Sequence, residues 1–509
     1  MSARLGQLVK SIGTNWIAFS TSVLTAFLLT PFIVHHLGNT AYGVWTLVVS
    51  MIALMGLLDM GMRGAITRFV SRNHAQGNHH ESGRAVSAGL WLRLWVAGLI
   101  VLISSVLSVI GPFVLHIPNE LRFAARGAIL LVGTSFALTF ACGVFGGVLV
   151  ALNRFPVVSG LSIAQTLLRA AGVVLLLGSG HGILALASWE LSVAAATNSV
   201  LITLARRAYP ELKYSLDRPD RKLFRQFLSY SFHVFLIQCA TVVIYYMDNL
   251  VVGTFISAAA VTFYSIGGSL LDYLRQVVTS VTTIFMPLAS NFEARGESSE
   301  LRRLLIQGTR LALLVSLPIA LGLYFRGHTF IELWMGRQYG PLSGHIVRIL
   351  LIAQVFSIAN FTSGNIAFGM AKHRPFAIAV VTESIANLTL SIILVKRIGI
   401  TGVAWGTVVP NLVVQLLFWP RYICKVLEMP VRRYLWESWL RPGLAVVPFG
   451  IACYLTDIHW EATRLVQFMW QIVVILPLLV AGFLACFWRE AAWQVQARLG
   501  SRLRIFVPK

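Results

Sequence analysis

Eight charged residues stand out because they lie inside long apolar stretches: Asp59, Arg93, Arg169, Glu190, Asp248, Asp272, Arg275 and Glu383. An ionised side chain at the centre of a bilayer costs ~2.5–3.5 kcal/mol on insertion scales, so each needs a partner or a wet surface. Guanidinium groups in such a place can hold a phosphate or diphosphate through charge-assisted hydrogen bonds. Lone carboxyls can carry a coupling proton.

A plainer structural role competes at each position. Asp59 precedes Arg63 by four residues, the spacing of a helix-end ion pair. Asp272 and Arg275 are three apart, with Tyr273 and Gln276 beside them, which suits either a structural pair or the wall of a pathway. Arg169 follows Gln165 by one turn and serves either as interhelical glue or as pathway lining. Arg93 is close enough to the cytoplasmic surface to snorkel, or to guide a ligand inward. Asp248, after Tyr245 and Tyr246, is expected to face a cavity, and Glu190 and Glu383 to carry a proton or bond a neighbouring helix. His233 is expected to be packed and hydrogen-bonded.

The elements that position these residues follow from composition. Of 509 residues only 12% are charged, about half the ~25% of a soluble domain, while 57% are apolar and the mean hydropathy is +0.76. That balance excludes a soluble multidomain enzyme and a disordered chain. Every backbone polar group must be satisfied inside hydrocarbon, so a spanning segment is a helix of ~20 apolar residues. Fourteen stretches qualify: 14–37, 42–62, 85–110, 124–152, 157–178, 183–205, 227–256, 259–289, 305–325, 344–370, 375–395, 401–420, 443–456 and 466–488. The expected fold is an all-α polytopic membrane protein.

Basic residues set the orientation. The segment 206–226 holds Arg206, Arg207, Lys213, Arg218, Arg221, Lys222 and Arg225, whereas the turns 35–41, 179–182 and 256–258 hold no Lys or Arg. This positive-inside bias places both termini in the cytoplasm and assigns most of the net charge of +22 to topology and anionic lipid, not nucleic acid. The five cysteines are scattered, so no metal site, redox pair or cofactor is expected. The chain lacks a Gly-Lys dipeptide, and hence a Walker A loop, and has no HExxH. With a largest external loop of about 326–343, no enzyme is expected.

The sequence also resembles itself. At a shift of 219, AYGVW (41–45) faces AVTFY (260–264), and Ser71, Ala75 and Gly77 face Ser290, Ala294 and Gly296. At a shift of 220, ALNR (151–154) faces AKHR (371–374), and Gly182 faces Gly402. Spans 1–6 then correspond to spans 7–12, the two-lobe plan of alternating-access transporters. The expected division is an N-lobe 1–205, a basic linker 206–226, a C-lobe 227–422, spans 13 and 14 over 423–488, and a basic interfacial tail 489–509. Pro318, Pro410 and Pro477 are read as kinks within spans 9, 12 and 14.

The stretch TPFIVHHLGNTAYGVWTLVVSMIALMGLLDMGMRGAITRF (30–69), with TPxI, LG followed by AYG, LLDxG and Arg68, resembles the opening of polysaccharide transporters of the Wzx type. These belong to the multidrug/oligosaccharidyl-lipid/polysaccharide flippase superfamily. YYMDNLVVG (245–253) and AAAVTFYSIGG (258–268) look similar to its second half. The resemblance covers roughly 10–420. It implies translocation of an undecaprenyl-diphosphate-linked oligosaccharide to the outer leaflet of the bacterial inner membrane, for O-antigen, capsule or exopolysaccharide. It places Asp59, Asp248, Asp272 and Arg275 on a central cavity, and implies that spans 13 and 14 make a groove for the polyprenyl tail, as in lipid II flippases. The first span lacks the arginines of those flippases, which argues against lipid II as cargo. Arg275 and Arg169 are the expected phosphate ligands, with Arg93 guiding the cargo. The expected partners are the lipid-linked oligosaccharide, membrane lipids and the polysaccharide polymerase machinery, around a monomer. A multidrug or cation antiporter of the same superfamily is the alternative.

Overall fold

In a computed structural model the backbone is described for residues 2–59, 62–215, 232–372 and 374–503, and side chains for 13–59, 62, 64, 66–215, 235–372 and 374–487. Most of the basic linker, the side chain of His233 and the side chains of the tail 489–509 lie outside the described residues. The described residues are mostly helical, with no strand among them.

Twelve described segments are long and apolar enough to cross a membrane. The first, Gly13–Asp59, contains two of the expected stretches. They are merged in α1 (Ser2–Leu54), which turns at Gly38 with φ 75° and ψ 169°. Only glycine adopts that conformation without strain, so one residue does the work of the seven-residue turn expected at 35–41. A 3-10 turn, Met55–Asp59, and the short α2 (Met62–Ala75) follow. Next come α3 (His79–Val114), α4 (Asn119–Ala151), α5 (Phe155–Gly178), α6 (Ile183–Ala208) and α7 (Phe232–Phe255). The eighth expected stretch divides into α8 (Ala258–Thr282) and α9 (Phe285–Ala294). Then α10 (Ser298–Met335), α11 (Gly340–Ala359), α12 (Phe361–Gly369), α13 (Arg374–Ile398) and α14 (Ile400–Val413) complete the repeat.

The repeat is visible in these boundaries. Helices α3 and α10 begin at His79 and Ser298, and α5 and α13 at Phe155 and Arg374, each pair 219 apart. Gly77 and Gly296 turn the chain after α2 and α9 with φ of 69° and 70°, and Gly180 and Gly399 repeat the device at 80° and 64°. The same offset therefore sets helix starts and helix stops.

Two expectations are corrected. The large external loop at 326–343 shrinks to residues 336–339, because α10 continues to Met335 and stops only at Gly336. Span 13, expected as 443–456, extends over Val431–His459. It consists of α16 (Val431–Leu435), a π-turn Trp436–Leu440 and α17 (Arg441–His459), while α15 (Trp419–Val426) ends the span before it. Finally α18 (Leu465–Leu503) carries the last span into the tail. The helices run unbroken through Pro318, Pro410 and Pro477. A π-turn at Val414–Phe418 follows Pro410, one of the ways a helix absorbs a lost backbone donor.

The chain packs as two compact units, Met1–Ser265 with Val380–Val403, and Ile266–Ala379 with Ala404–Lys509. In the first, α4 is the most enclosed helix, and many of its buried residues are Ala and Gly (Ala125, Ala128, Gly133, Ala137, Gly143, Gly147). Small residues let apolar helices approach where no hydrophobic drive exists between them. Elsewhere in this unit, a Cβ on Gly43 would stand 1.7 Å from the Ala258 carbonyl oxygen, while Thr262 Oγ1 donates to the Asn39 carbonyl at 2.7 Å. Asn249 Nδ2 donates to Ser50 Oγ at 3.1 Å, so α1 is fastened to α7 and α8 by polar contacts. In the second unit Leu301, Leu305, Ile366, Ile423 and Tyr434 form a core, and Ser357 Oγ donates to Asn411 Oδ1 at 2.9 Å. Span hydroxyls such as Thr21, Thr30 and Thr197 donate to carbonyls four residues back, which removes their cost in hydrocarbon.

Candidate functional site

The three arginines singled out within spans all meet carboxylates. Arg93, on α3, pairs with Asp59 at the end of the 3-10 turn. Its side chain is 4% exposed, and its guanidinium carbon lies 4.3 Å from the centroid of the Phe140 ring. Arg93 therefore does not snorkel. The members of this pair are 34 positions apart; the expected Asp59–Arg63 pair lies outside the described residues, because the Arg63 side chain does. Asp59 itself is about one-third exposed.

Arg169 on α5 pairs with Glu190 on α6. One turn away, Gly172 makes room for Trp189, whose Nε1 donates to the Leu168 carbonyl at 2.9 Å. Arg169 joins two helices and is 45% exposed. Glu190 is accordingly not a lone acid. Arg275 and Asp272 pair on one face of α8 at 2.9 Å, with Arg275 21% and Asp272 50% exposed.

The remaining acids differ. Asp248 is buried and accepts a 2.6 Å hydrogen bond from the Tyr264 hydroxyl, while Tyr245 and Tyr246 beside it are exposed. Glu383 is buried on α13. The first unit thus holds Asp59, Arg93, Arg169, Glu190, Asp248 and Glu383, and the second holds Asp272 and Arg275.

Each ion pair is neutral as a unit, which explains how these charges are tolerated in spans. An incoming anion must compete with a carboxylate for the guanidinium. Exposure ranks the pairs for that exchange: Arg169 and Arg275 are accessible, whereas Arg93 is sealed against Phe140. No group of three or more His, Cys, Asp or Glu that could hold a metal ion occurs among the described residues.

Sequence reasoning missed two polar centres of the second unit. Arg326 is fully buried on α10, with Nη2 donating to Gln471 Oε1 at 2.5 Å, Nε 4.0 Å from Asp457 and the guanidinium over Phe468. The signal was available: Phe330, Ile331, Trp334 and Met335 continue the helical apolar stripe beyond Arg326 into the supposed loop. Arg310 is the other, one turn inside the apolar stretch 305–325 and held against Glu437.

Comparison with known proteins agrees with this architecture. The sequence model described as polysaccharide biosynthesis protein matches residues 8–293, and the MatE model matches 234–393. The membrane protein EpsK of Bacillus subtilis is 22% identical over 82% of this chain and 83% of its own length. A Shigella flexneri protein that carries the name O-antigen transporter is 22% identical over 83% of this chain and 99% of its own. Among solved structures, the lipid II flippase MurJ in an inward closed conformation superposes with a TM-score of 0.72 at 14% identity, covering 95% of this chain and 100% of that one. An inward-facing multidrug resistance MATE transporter gives 0.69 at 13% identity, covering 81% and 95%. With more than half its length matched by one family, the chain belongs to the polysaccharide biosynthesis protein family.

Proposed function

We propose that this protein is a flippase for an undecaprenyl-diphosphate-linked oligosaccharide, moving it from the cytoplasmic to the outer leaflet of the inner membrane. The physical problem is that a diphosphate and several sugars cannot cross hydrocarbon unaided. The observation that carries the reading is the half-open Arg275–Asp272 pair in a chain of this family. A diphosphate supplies the same kind of oxygen acceptors as the carboxylate it displaces, with more charge, so exchange at Arg275 is favourable when cargo is present. Arg169 is the second phosphate ligand, and Asp272, Asp248 and Asp59 orient the arginines or bond sugar hydroxyls. Arg93 acts through packing. Two lobes divided at the linker 206–226 alternate around this path, both termini being cytoplasmic. Outward movement of each negative charge gains ~2.3 kcal/mol per 100 mV, inside negative, so the potential itself favours export.

The test is Arg275→Ala in cells that depend on this protein for surface glycan. The glycan is expected to disappear while the protein stays in the membrane at its normal level; an unchanged glycan layer refutes the role. The MatE match over 234–393 favours one other reading, a multidrug or cation antiporter using the buried acids Asp248 and Glu383. Stabilisation of the purified protein by cationic dyes, and not by anionic glycolipids, would select it.

A further inference from the structure

In the second unit, side chains from α10, α11 and α17 meet around one imidazole, that of His328 on α10. From α11, Arg348 Nη2 lies 3.1 Å from His328 Nδ1. The same guanidinium donates from Nε to the Tyr324 carbonyl at 2.9 Å and from Nη2 to the Phe325 carbonyl at 3.3 Å. From α17, Asp457 Oδ2 lies 3.9 Å from His328 Nε2. Its other oxygen, Oδ1, accepts from Thr329 Oγ1 at 3.2 Å and stands 4.0 Å from Arg326 Nε. Helix α11 comes this close because Gly344 has no side chain; a Cβ there would stand 2.8 Å from His328 Cα.

The chemistry of the Arg348 contact fixes the state of the ring. A guanidinium carries only donors, so His328 Nδ1 must accept the bond. The imidazole is then the neutral Nε2–H tautomer, with its proton turned toward Thr329 Oγ1, at 3.3 Å, and Asp457. A second proton on Nδ1 would set N–H against N–H and cation against cation. The bond between α10 and α11 through His328 therefore exists only while the ring is neutral. An imidazolium prefers the other side, where the Asp457 carboxylate waits. The ring is 35% exposed, so a proton can reach it.

The other titratable groups near the ring are Arg326 and Glu332 on α10, His345 on α11, and Cys453 and His459 on α17, while α18 brings the neutral Gln471. Arg326 is bonded to Gln471, the Glu332 side chain lies against Gly340, Cys453 is buried, and His345 and His459 are exposed. Among the described residues, Asp457 is the one acid that forms an ion pair with His328. The cluster lies near a membrane surface: Asp457 is two residues from the end of α17, and the exposed Trp460 follows. In the proposed orientation that surface is the outer one.

We propose that His328 is a proton-binding site that works as a latch between α10 and α11. The neutral ring holds Arg348 and so ties the start of α11 to α10. A proton taken from the outer solution onto Nδ1 expels the Arg348 N–H, frees that end of α11, and draws the ring to Asp457, which fastens α10 to α17 instead. The latch goes beyond the flippase reading and does not depend on any cargo.

The full-length protein in mixed micelles tests this at about pH 8 and about pH 5, the two ends of the range in which an imidazole changes charge. With isotope-labelled histidine, the magnetic resonance signal assigned to His328 by its loss in His328→Gln is expected to show the Nε2–H tautomer at the upper pH. An Nδ1–H tautomer overturns the proposal. Hydrogen exchange, corrected for intrinsic rates, is expected to show residues 340–350 of the wild type losing protection about tenfold at the lower pH, the worth of one charge-assisted bond, with residues 301–313 of α10 unchanged. In His328→Gln, whose amide oxygen accepts from Arg348 and does not titrate, that loss is expected to vanish. Equal protection of 340–350 at both pH values in the wild type overturns the latch even if the variant fails to fold. Equal loss in both proteins overturns it too, by giving the effect to another group.

Discussion

The Arg93–Asp59 pair makes an uneven prediction because its members are unevenly buried. Arg93 is 4% exposed on its side chain and Asp59 34%. Asp59→Asn removes the carboxylate that Arg93 meets inside the protein, and breaking a buried pair this way costs ~3 kcal/mol. Arg93→Met leaves a carboxylate that water can reach. It forfeits the contact with Phe140 and is expected to cost ~1 kcal/mol. The double variant Asp59→Asn/Arg93→Met removes both charges and keeps the apolar stem over Phe140. Since apolar replacement of a buried pair is often tolerated, it should cost ~2 kcal/mol, less than Asp59→Asn alone. The coupling in this cycle is therefore ~2 kcal/mol. Equilibrium unfolding of the purified protein in mixed micelles, followed by circular dichroism, measures all four corners. Additive effects would refute the coupling of Arg93 to Asp59. So would stability in all four corners combined with loss of surface glycan in Arg93→Met, since that result makes Arg93 a ligand of the cargo.

Two further substitutions check the packing of the first unit. Tyr264→Phe removes the donor at 2.6 Å from buried Asp248 and should destabilise by ~1–3 kcal/mol in the same unfolding assay, with no effect on the far-ultraviolet spectrum of the folded state. Gly43→Ala drives a methyl group into the Ala258 carbonyl, which is backbone and cannot swing aside; a loss of ~2 kcal/mol or more, seen as reduced yield of monodisperse protein, is expected.

Much of the fold was legible because hydrocarbon imposes a simple rule. Each apolar stretch of about twenty residues had to be a helix, and among the described residues each of the fourteen overlaps helical structure. The internal shift of 219 was legible too, and reappears in positive-φ glycines such as Gly77 and Gly296. Helix ends were less accessible. Arg326 and His328 looked like loop residues because charge near a span end resembles an interface, yet Arg326 is buried against Gln471 and Phe468. At the candidate site, Asp272 and Arg275 could be paired from their spacing alone, since three residues share a helical face. Arg93 with Asp59, and Arg169 with Glu190, could not: their pairing depends on which faces of separate helices meet, and sequence periodicity fixes faces only relative to one helix axis. Local spacing pointed from Asp59 to Arg63 and gave no sign of the partner on α3.

The pairing of every singled-out span arginine with an acid turns the cargo question into one of exchange, and a single binding measurement addresses it. The affinity of the purified protein for undecaprenyl-diphosphate-linked oligosaccharide should be compared across the wild type, Arg275→Ala and Asp272→Asn. The account predicts that Arg275→Ala weakens binding by about tenfold or more, the worth of a charge-assisted contact, while Asp272→Asn strengthens it by removing one carboxylate that competes with the cargo for Arg275. Equal affinities in all three proteins would contradict it and remove Arg275 from the path of the cargo.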